Sequence, residues 1–415
     1  MAEKLQPVRG TQDFLPEMMA RYRLVCDTAH KVTGLYGFEE MATPIFEQTA
    51  VFSRSIGEAT DVVSKEMYTF SSRSGGESLT LRPENTAGVA RAVISNSMLQ
   101  STPHKFFYAG PMFRYERPQK GRYRQFHQIG AELIGVEQPL ADVEVIASGA
   151  AVLRELGLLD RVTLKLNSLG DPESRAEFRS QLVEYFSAYL DELSDESKDR
   201  LVKNPLRILD SKNARDQEIA QGAPKFGACL NQKSLDFFAA VKQGLDDLGI
   251  KYELDETLVR GLDYYTHTAF EFVTSELGAQ SGVLGGGRYD GLIGNLGATE
   301  TPGVGWASGV ERLMLLMECE PEKSTPIVIV PMGDAAERQA AIISEKLRRA
   351  GLHIDQGYKG NMGKRLKRAD KLGANLALIL GQDELDAGQV VVKNLKEGSQ
   401  QTVALDQLEA FLKSK

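Results

Sequence analysis

The sequence predicts two units: an α+β unit whose mostly antiparallel sheet is interrupted by a helical insertion, and a C-terminal α/β unit with a mostly parallel sheet. Three observations carry this reading. Two runs rich in Phe, Tyr and Ile, at 105–116 and 124–135, flank the polar loop Arg117-Pro118-Gln119-Lys120-Gly121-Arg122, the pattern of an antiparallel hairpin. From about 171 to 250 the texture changes to charged segments of helical periodicity, most clearly at 176–193 and 234–248. Beyond about 325, short apolar strands alternate with helices, which implies βα units and parallel pairing.

The elements follow in order. A helix is expected over 17–35, after Pro16 and ending near Gly34 and Gly37. A short strand over 41–46 holds Pro44, whose missing amide hydrogen confines it to an edge or an interface. After the hairpin and the insertion, 268–274 alternates like a strand, and Gly285-Gly286-Gly287 marks a tight approach of backbones. A boundary falls in the polar stretch 318–325, bracketed by Pro321 and Pro326, giving units of 1–320 and 325–415. The second unit is expected to hold strands at 327–330, 352–355, 376–380 and 390–392, with helices at 335–350, 361–372 and 405–413.

Bulk composition agrees with a globular protein. The 415 residues, 42% apolar and 26% charged, suit two or three domains with sizeable cores. No apolar run has the length to span a bilayer, and the N-terminus lacks a basic segment followed by an apolar one, so neither a membrane partner nor secretion is expected. Cys26, Cys229 and Cys319 lie far apart, giving neither a zinc spacing nor a disulfide framework; they fit a reducing cytoplasm. The net charge of −8 argues mildly against a nucleic-acid partner, but the charge is unevenly spread. From 325 onward there are 14 Lys and Arg against 11 Asp and Glu, and the first 324 residues hold 35 against 46. The positive excess sits in Lys359, Lys364, Arg365, Lys367, Arg368 and Lys371. Such a cluster reads either as a solvated helix face or as a patch that meets phosphates, a local attraction that does not need a basic protein.

Two stretches suggest chemistry. Arg114 ends the first hairpin strand, Arg122 lies across the loop and Glu116 stands between them. Guanidiniums held on a hairpin offer fixed forks of donors and suit a triphosphate, although alone they read more readily as a solvated hairpin tip. The run from Gly303 to Leu313 is a small-residue strand entering an amphipathic helix, with Arg312 in its first turn. Its glycines permit either a ligand or a packed helix to approach the backbone. The glycines at 285–287 lack the spacing of a dinucleotide loop, and no convincing helix follows them.

The combination is more specific than its parts. The Pro44 strand, the Phe113-Arg114-Tyr115-Glu116 hairpin and the Gly309-Val310-Glu311-Arg312 helix stand in the order of the three class II aminoacyl-tRNA synthetase motifs. Leu258-Val259-Arg260-Gly261-Leu262-Asp263-Tyr264-Tyr265-Thr266 and Gly286-Gly287-Arg288-Tyr289-Asp290-Gly291-Leu292 closely resemble the two signature motifs of histidyl-tRNA synthetases. So do Leu81-Arg82-Pro83-Glu84-Asn85-Thr86-Ala87-Gly88 and the hairpin loop from Arg117 to Phe126. The resemblance runs from Val8-Arg9-Gly10-Thr11 into the C-terminal unit, nearly the whole chain.

That resemblance implies a class II catalytic domain over 1–320, an anticodon-binding domain over 325–415, and a cytoplasmic ligase that acts as a homodimer through the Pro44 strand and its preceding helix. Its substrates would be L-histidine, ATP and tRNA(His). Magnesium is expected beside the ATP, with protein ligands that the sequence does not identify. Glu84, Thr86 and Gln128 would hold the histidine ammonium, Glu132 and Tyr265 the imidazole nitrogens, and Tyr264 and Tyr289 would wall the pocket, with Asn85 in the same set. Arg114 would clamp the α-phosphate, Arg312 the γ-phosphate and the adenine face, and Glu116 and Arg122 would complete the ATP side. Arg260 resembles the family's extra arginine at the reacting phosphate, so Arg114 and Arg260 carry the catalytic expectation. Arg117 and Gln119 would meet the tRNA acceptor end. Asn85, His267 and Trp306 stand where other residues are common in the family. A paralogous regulatory subunit of histidine biosynthesis would share the fold, but it would lose the C-terminal unit and the Arg260–Tyr265 motif, and both are intact. A tRNA-sensing module is opposed by Arg114, Arg260 and Arg312, and a hydrolase by the lack of a nucleophile motif.

Overall fold

The computed structural model describes residues 4–57, 60–73, 75–209, 211, 213–258, 262–278, 281–322 and 324–415. The chain divides into two compact units, Met1–Pro321 and Glu322–Lys415. The first runs through α1 (Pro16–Leu35), β1 (Glu39–Glu40), β2 (Phe46–Gln48), α2 (Thr49–Ile56), β3 (Tyr68–Ser71), β4 (Ser78–Leu81), α3 (Thr86–Ser95), β5 (His104–Phe113), β6 (Gln125–Ile134), α4 (Pro139–Glu155) and β7 (Thr163–Ser168). The helices α5 (Pro172–Ser187), α6 (Asp195–Lys203), α7 (Ala214–Ala220) and α8 (Gln232–Asp247) form the insertion. The chain then returns through β8 (Glu253–Leu254), β9 (Thr266–Val273), β10 (Gly282–Arg288), α9 (Leu292–Asn295), β11 (Gly303–Gly309) and α10 (Val310–Leu316).

One eight-stranded sheet, in the order β1-β5-β6-β11-β10-β9-β7-β8, organises this unit. Its central pairs are antiparallel, and only the edge pairs β1–β5 and β7–β8 are parallel. Strand β6 is buried from Gln128 to Ile134, because one face packs on helices and the other lines a cavity. A strand covered on both faces reads as a continuous run rather than an alternation, and this is how the hairpin was visible in the sequence.

The strand expected over 41–46 is instead two short pieces in two sheets. Glu39–Glu40 pairs with β5, and the Met41 amide donates a last bond to the Phe107 carbonyl at 2.9 Å. The chain then passes Pro44, which cannot donate to a ladder, and resumes as β2 in a separate sheet of order β2-β4-β3.

Helix α4 packs on the back of the large sheet through Ala147, Ser148, Gly149, Ala150 and Ala151. Small residues there make room for Trp306, whose indole N–H donates to Ser148 Oγ at 2.9 Å. The opposite end of β10 carries a buried ion pair. Arg288 Nε donates to Asp142 Oδ2 at 3.0 Å, and Nη1 donates to the Val136 carbonyl at 2.9 Å and to Asp290 at 3.1 Å. Both side chains of the Arg288–Asp142 pair are fully enclosed. Such a pair is sensitive to losing one charge, since the partner is then left uncompensated in a low-dielectric interior. Asp142→Asn is therefore expected to cost about 3–5 kcal/mol of stability in urea unfolding at neutral pH. A loss below about 1 kcal/mol would show that the pair is not needed.

The second unit contains β12 (Ile327–Pro331), α11 (Asp334–Arg349), β13 (Ile354–Gln356), α12 (Met362–Lys371), β14 (Leu376–Leu380), α13 (Gln382–Asp386), β15 (Gln389–Asn394), β16 (Gln400–Ala404) and α14 (Leu408–Lys413). Its sheet has the order β13-β12-β14-β15-β16. The pairs around β12 are parallel, but β14–β15 and β15–β16 are antiparallel, so the sheet is mixed where a mostly parallel one was expected. The difference comes from β16, an exposed edge strand beginning Gln400-Gln401-Thr402, which has no apolar run to announce it.

The basic cluster of this unit separates into two kinds of residue. Arg365 is buried, with Nε donating to the Gly360 carbonyl at 2.8 Å and Nη2 to Glu337 at 2.6 Å, and Arg368 pairs with Asp355. Lys359, Lys364, Lys367 and Lys371 are exposed. Among the described residues, no helix is long and apolar enough to cross a membrane.

Candidate active site

Between β4 and α3 the chain makes a tight, buried turn. Arg82 pins it, donating to the Thr43 carbonyl and to the Pro111 carbonyl, both at 2.9 Å. Asn85 was expected to touch histidine, but its side-chain oxygen accepts from Thr43 Oγ1 at 2.5 Å and from Arg82 at 3.3 Å. It supports the turn from beneath and does not line the cavity. Glu84 faces the start of α3, where its carboxylate accepts from the Thr86 amide at 2.7 Å and the Ala87 amide at 3.0 Å. Those amides are the unpaired donors that every helix start presents.

Thr86 then turns its hydroxyl to Glu132 on β6, donating at 2.7 Å. From the other side the Tyr289 hydroxyl donates to the second Glu132 oxygen at 2.6 Å. The glycines of β11 explain how this fits. A Cβ at Gly305 would collide with the Glu132 carboxylate, and one at Gly303 with the Tyr289 ring. In this strand, then, the glycines seat Glu132 and Tyr289. Gln128 stands nearby and accepts from the Tyr108 hydroxyl at 3.2 Å. Tyr264 closes the wall, its ring 4.6 Å from Tyr265 and 5.8 Å from Tyr289 between centroids.

This end of the cavity favours positive charge. Burial pushes the Glu132 carboxyl up to about 8, against the pull of the Thr86 and Tyr289 hydroxyls, and neighbouring Glu84 adds to the rise. Burial also raises Glu84, opposed by the Ala87 and Thr86 amides and by Arg114. Two enclosed carboxyl groups with mainly hydroxyl and amide partners are suited to a ligand bearing cationic or N–H groups.

The other end favours negative charge. Arg114 donates through Nε to the Pro83 carbonyl at 2.9 Å, and its guanidinium lies over the Phe126 ring at 5.6 Å. Glu116 is buried between Arg122, with which it pairs, and Arg114 at 4.0 Å. Arg312, from the first turn of α10, donates to the Gly282 carbonyl at 2.6 Å and to the Gly121 carbonyl at 3.3 Å. Burial lowers the Arg312 guanidinium from its usual range, and the like charges of Arg122 and Arg114 lower it further against Glu271. Three guanidiniums with Glu116 and Glu271 beside them leave a net positive charge that a bound anion offsets.

Of the residues singled out in the sequence, Glu84, Thr86, Arg114, Glu116, Arg122, Gln128, Glu132, Tyr264, Tyr265, Tyr289 and Arg312 line this one cavity. Arg117 and Gln119 are exposed on the hairpin loop beside it. Arg260 lies outside the described residues. Trp306 borders the cavity while its indole N–H is committed to Ser148 behind the sheet. The structure also adds residues. Glu271 lines the arginine end; a carboxylate inside the apolar run Ala269-Phe270-Glu271-Phe272 was a visible signal. Glu311 accepts from the His127 amide at 3.0 Å and from its Nδ1 at 2.9 Å, bolting α10 to β6 next to Arg312. That pairing spans 184 residues and left no trace in local pattern.

Comparison with known proteins decides the family. The family model described as histidyl-tRNA synthetase matches residues 10–313. The chain belongs to the histidyl-tRNA synthetase family. A second model, described as an anticodon binding domain, matches residues 326–415. The histidine–tRNA ligase of Rhodospirillum rubrum is 56% identical over 409 residues, 98% of each chain. That of Gluconacetobacter diazotrophicus is 54% identical over 408 residues, again 98% of each. Among solved structures, the apo histidyl-tRNA synthetase of S. aureus matches with a TM-score of 0.85 at 36% identity, covering 98% of this chain and 99% of that one. The protein is thus an enzyme, an aminoacyl-tRNA synthetase acting as a histidine–tRNA ligase, with the class II catalytic architecture followed by a C-terminal unit that has its own sheet.

Proposed function

We propose that this cavity forms histidyl-adenylate from L-histidine and ATP, and that the histidyl group then passes to the 3′ end of tRNA(His). The observation that carries the reading is the polarity of a single cavity, with a doubly hydrogen-bonded buried Glu132 at one end and Arg114, Arg122 and Arg312 at the other. Glu132 and Tyr265 take the imidazole nitrogens, and Glu84, Thr86 and Gln128 the ammonium. Tyr264 and Tyr289 exclude water from the ring. A pocket built to hydrogen-bond a ring nitrogen rejects rings that lack it, because its buried polar groups are then left unpaired.

Arg114 holds the α-phosphate and Arg312 the γ-phosphate, with Arg122 and Glu116 completing the phosphate side. The histidine carboxylate attacks the α-phosphorus, a P–O bond forms, and pyrophosphate leaves. The nucleophile is already an anion, so no protein base is required. The protein contributes alignment and neutralisation of charge growing on the phosphate oxygens. Arg260 would join Arg114 at the same phosphate. In the second step a terminal ribose hydroxyl of the tRNA attacks the histidyl carbonyl and AMP leaves, with Arg117 and Gln119 on the exposed loop meeting the acceptor end.

Magnesium would sit beside the triphosphate at the arginine end, where Glu271 and Glu116 are carboxylates of the lining. Bound there, it would supply further neutralisation of the leaving pyrophosphate.

The C-terminal unit reads the anticodon, with Lys359, Lys364, Lys367 and Lys371 offering charge to the RNA backbone. The enzyme works in the cytoplasm, where its three free thiols stay reduced. The direct test is transfer of labelled histidine to total tRNA in the presence of ATP; no acid-precipitable label would refute the reading. A chain ending near Pro321 is expected to keep adenylate formation but lose most of this transfer, and unchanged transfer would mean the lysine face is merely solvated. We also infer a homodimer, built on Pro44, β2 and the exposed apolar side chains Ile45 and Phe46. Sedimentation is expected to show two copies at micromolar concentration, and an active stable monomer would contradict it.

A further inference from the structure

His267 begins a region where the helical insertion grips the histidine pocket. It is 7% exposed and has a backbone φ of +46°, in the left-handed region that is uncommon outside glycine. The pairing of β9 with β10 shifts here: Arg288 faces Thr266, yet Gly287 faces Ala269, so two additional residues, His267 and Thr268, are accommodated on β9. Bulges of this kind re-aim the chain next to active sites. Two and three positions before it stand Tyr265 and Tyr264, which line the cavity.

What holds His267 in that conformation comes from the insertion and its entry. Its amide donates to the Gly170 carbonyl at 2.8 Å, and its own carbonyl accepts from the Leu169 amide at 2.6 Å, just before α5. Its ring stacks on Phe237 of α8, with centroids 4.6 Å apart and planes 24° apart. Nδ1 has no hydrogen-bond partner among the described residues, so the ring is held by stacking and shape. The Arg288 guanidinium also lies over the Phe237 ring, 5.1 Å from its centre. A second grip falls on Tyr265 itself. Arg175 of α5 donates through Nη1 to the Tyr265 carbonyl at 2.8 Å.

We propose that Arg175 and His267 form a two-point clasp through which the helical insertion positions Tyr265, making both of them positioning residues for histidine recognition. The proposal rests on the pocket assignment above. Neither residue lines the cavity, and neither is on the arginine side that takes the phosphates. Loosening the clasp moves the Tyr265 end of the pocket and leaves the triphosphate site in place. The cost therefore falls on histidine and spares ATP. The insertion then has a route by which a ligand bound on it changes histidine affinity, because any contact that shifts α5 or α8 pulls on Tyr265.

The test compares His267→Gly and Arg175→Ala with the unaltered enzyme in histidine-dependent ATP–pyrophosphate exchange, beside thermal melts. Glycine accepts the positive φ, so His267→Gly keeps the backbone path and removes only the wedge. Each variant is expected to raise the KM for histidine about tenfold while the KM for ATP stays within about twofold, since each loses about one ordering contact on the pocket. His267→Asn, whose amide tolerates the left-handed region, provides the same readout if the glycine variant folds poorly. Folded variants with an unmoved histidine KM would overturn the clasp. Equal rises in both KM values, or a lowered melting temperature with both KM values unmoved, would also overturn it by showing general structural support. Absence of exchange in the unaltered enzyme would instead remove the pocket assignment on which the clasp depends.

Discussion

Arg114→Ala is expected to slow histidyl-adenylate formation by about 10²–10³, the usual cost of one preorganised electrostatic donor. The guanidinium belongs to the residue just after β5 and is fixed before substrate arrives: Nε is spent on the Pro83 carbonyl, the plane rests on Phe126, and Glu116 stands 4.0 Å away. A donor held in this way need not reorganise when charge builds on the α-phosphate, so its contact strengthens in the transition state. Only such differential contacts accelerate a step. Histidine affinity changes less, because Glu132, Gln128 and the tyrosines remain. Rapid-quench measurement separates the two steps: adenylate formation slows, and transfer from preformed adenylate to tRNA suffers less because pyrophosphate has already left. Equal damage to both steps with a lowered melting temperature would mean that Arg114 only holds the Pro83 turn.

Glu132→Gln is expected to raise the KM for histidine by about 10² or more while leaving ATP nearly unaffected, since recognition built on a buried polar contact discriminates strongly when the contact fails. The amide preserves shape. It presents only one acceptor oxygen, however, to a site where the Thr86 and Tyr289 hydroxyls both donate. A second readout is pH dependence without substrate. The Glu132 carboxyl rises from the ordinary 4.5 to about 8 in the fold, so between those values the folded chain holds a proton that the unfolded chain has released. Its contribution to stability is therefore full below about 4.5 and is lost as pH rises through 8. Glutamine removes that slope, so the melting temperature of the variant should fall less than that of the parent between pH 6 and pH 9. Parallel curves, or equal weakening of histidine and ATP binding, would show that Glu132 is merely structural.

The parts of this fold that were legible are those whose physics is local. The β5–β6 hairpin announced itself by two apolar runs around a polar loop, and the insertion by helical period and charge. Pro44 was read correctly as hostile to a ladder but was still placed in a single strand, because nothing local says that the chain changes sheets there. Strand β16 was missed since an exposed edge strand needs no apolar face. At the site, residue types on motifs were recoverable by resemblance, and all but Asn85, Arg117, Gln119 and the undescribed Arg260 meet on the cavity. The contacts that give those residues their character were not recoverable. Glu132 takes its two hydroxyls from Thr86 and Tyr289, which are 46 and 157 residues away, and Glu311 finds His127 across 184. The contacts of Asn85 were hidden for the same reason: its partners, Thr43 and Arg82, are brought to it only by the folded turn.

The most direct test of the central claim is ATP–pyrophosphate exchange with each of the twenty amino acids in turn, without tRNA. The pocket described here predicts strong exchange with histidine and background with the other nineteen. Exchange with another amino acid equal to that with histidine, or none with histidine at all, would contradict the assignment of the cavity.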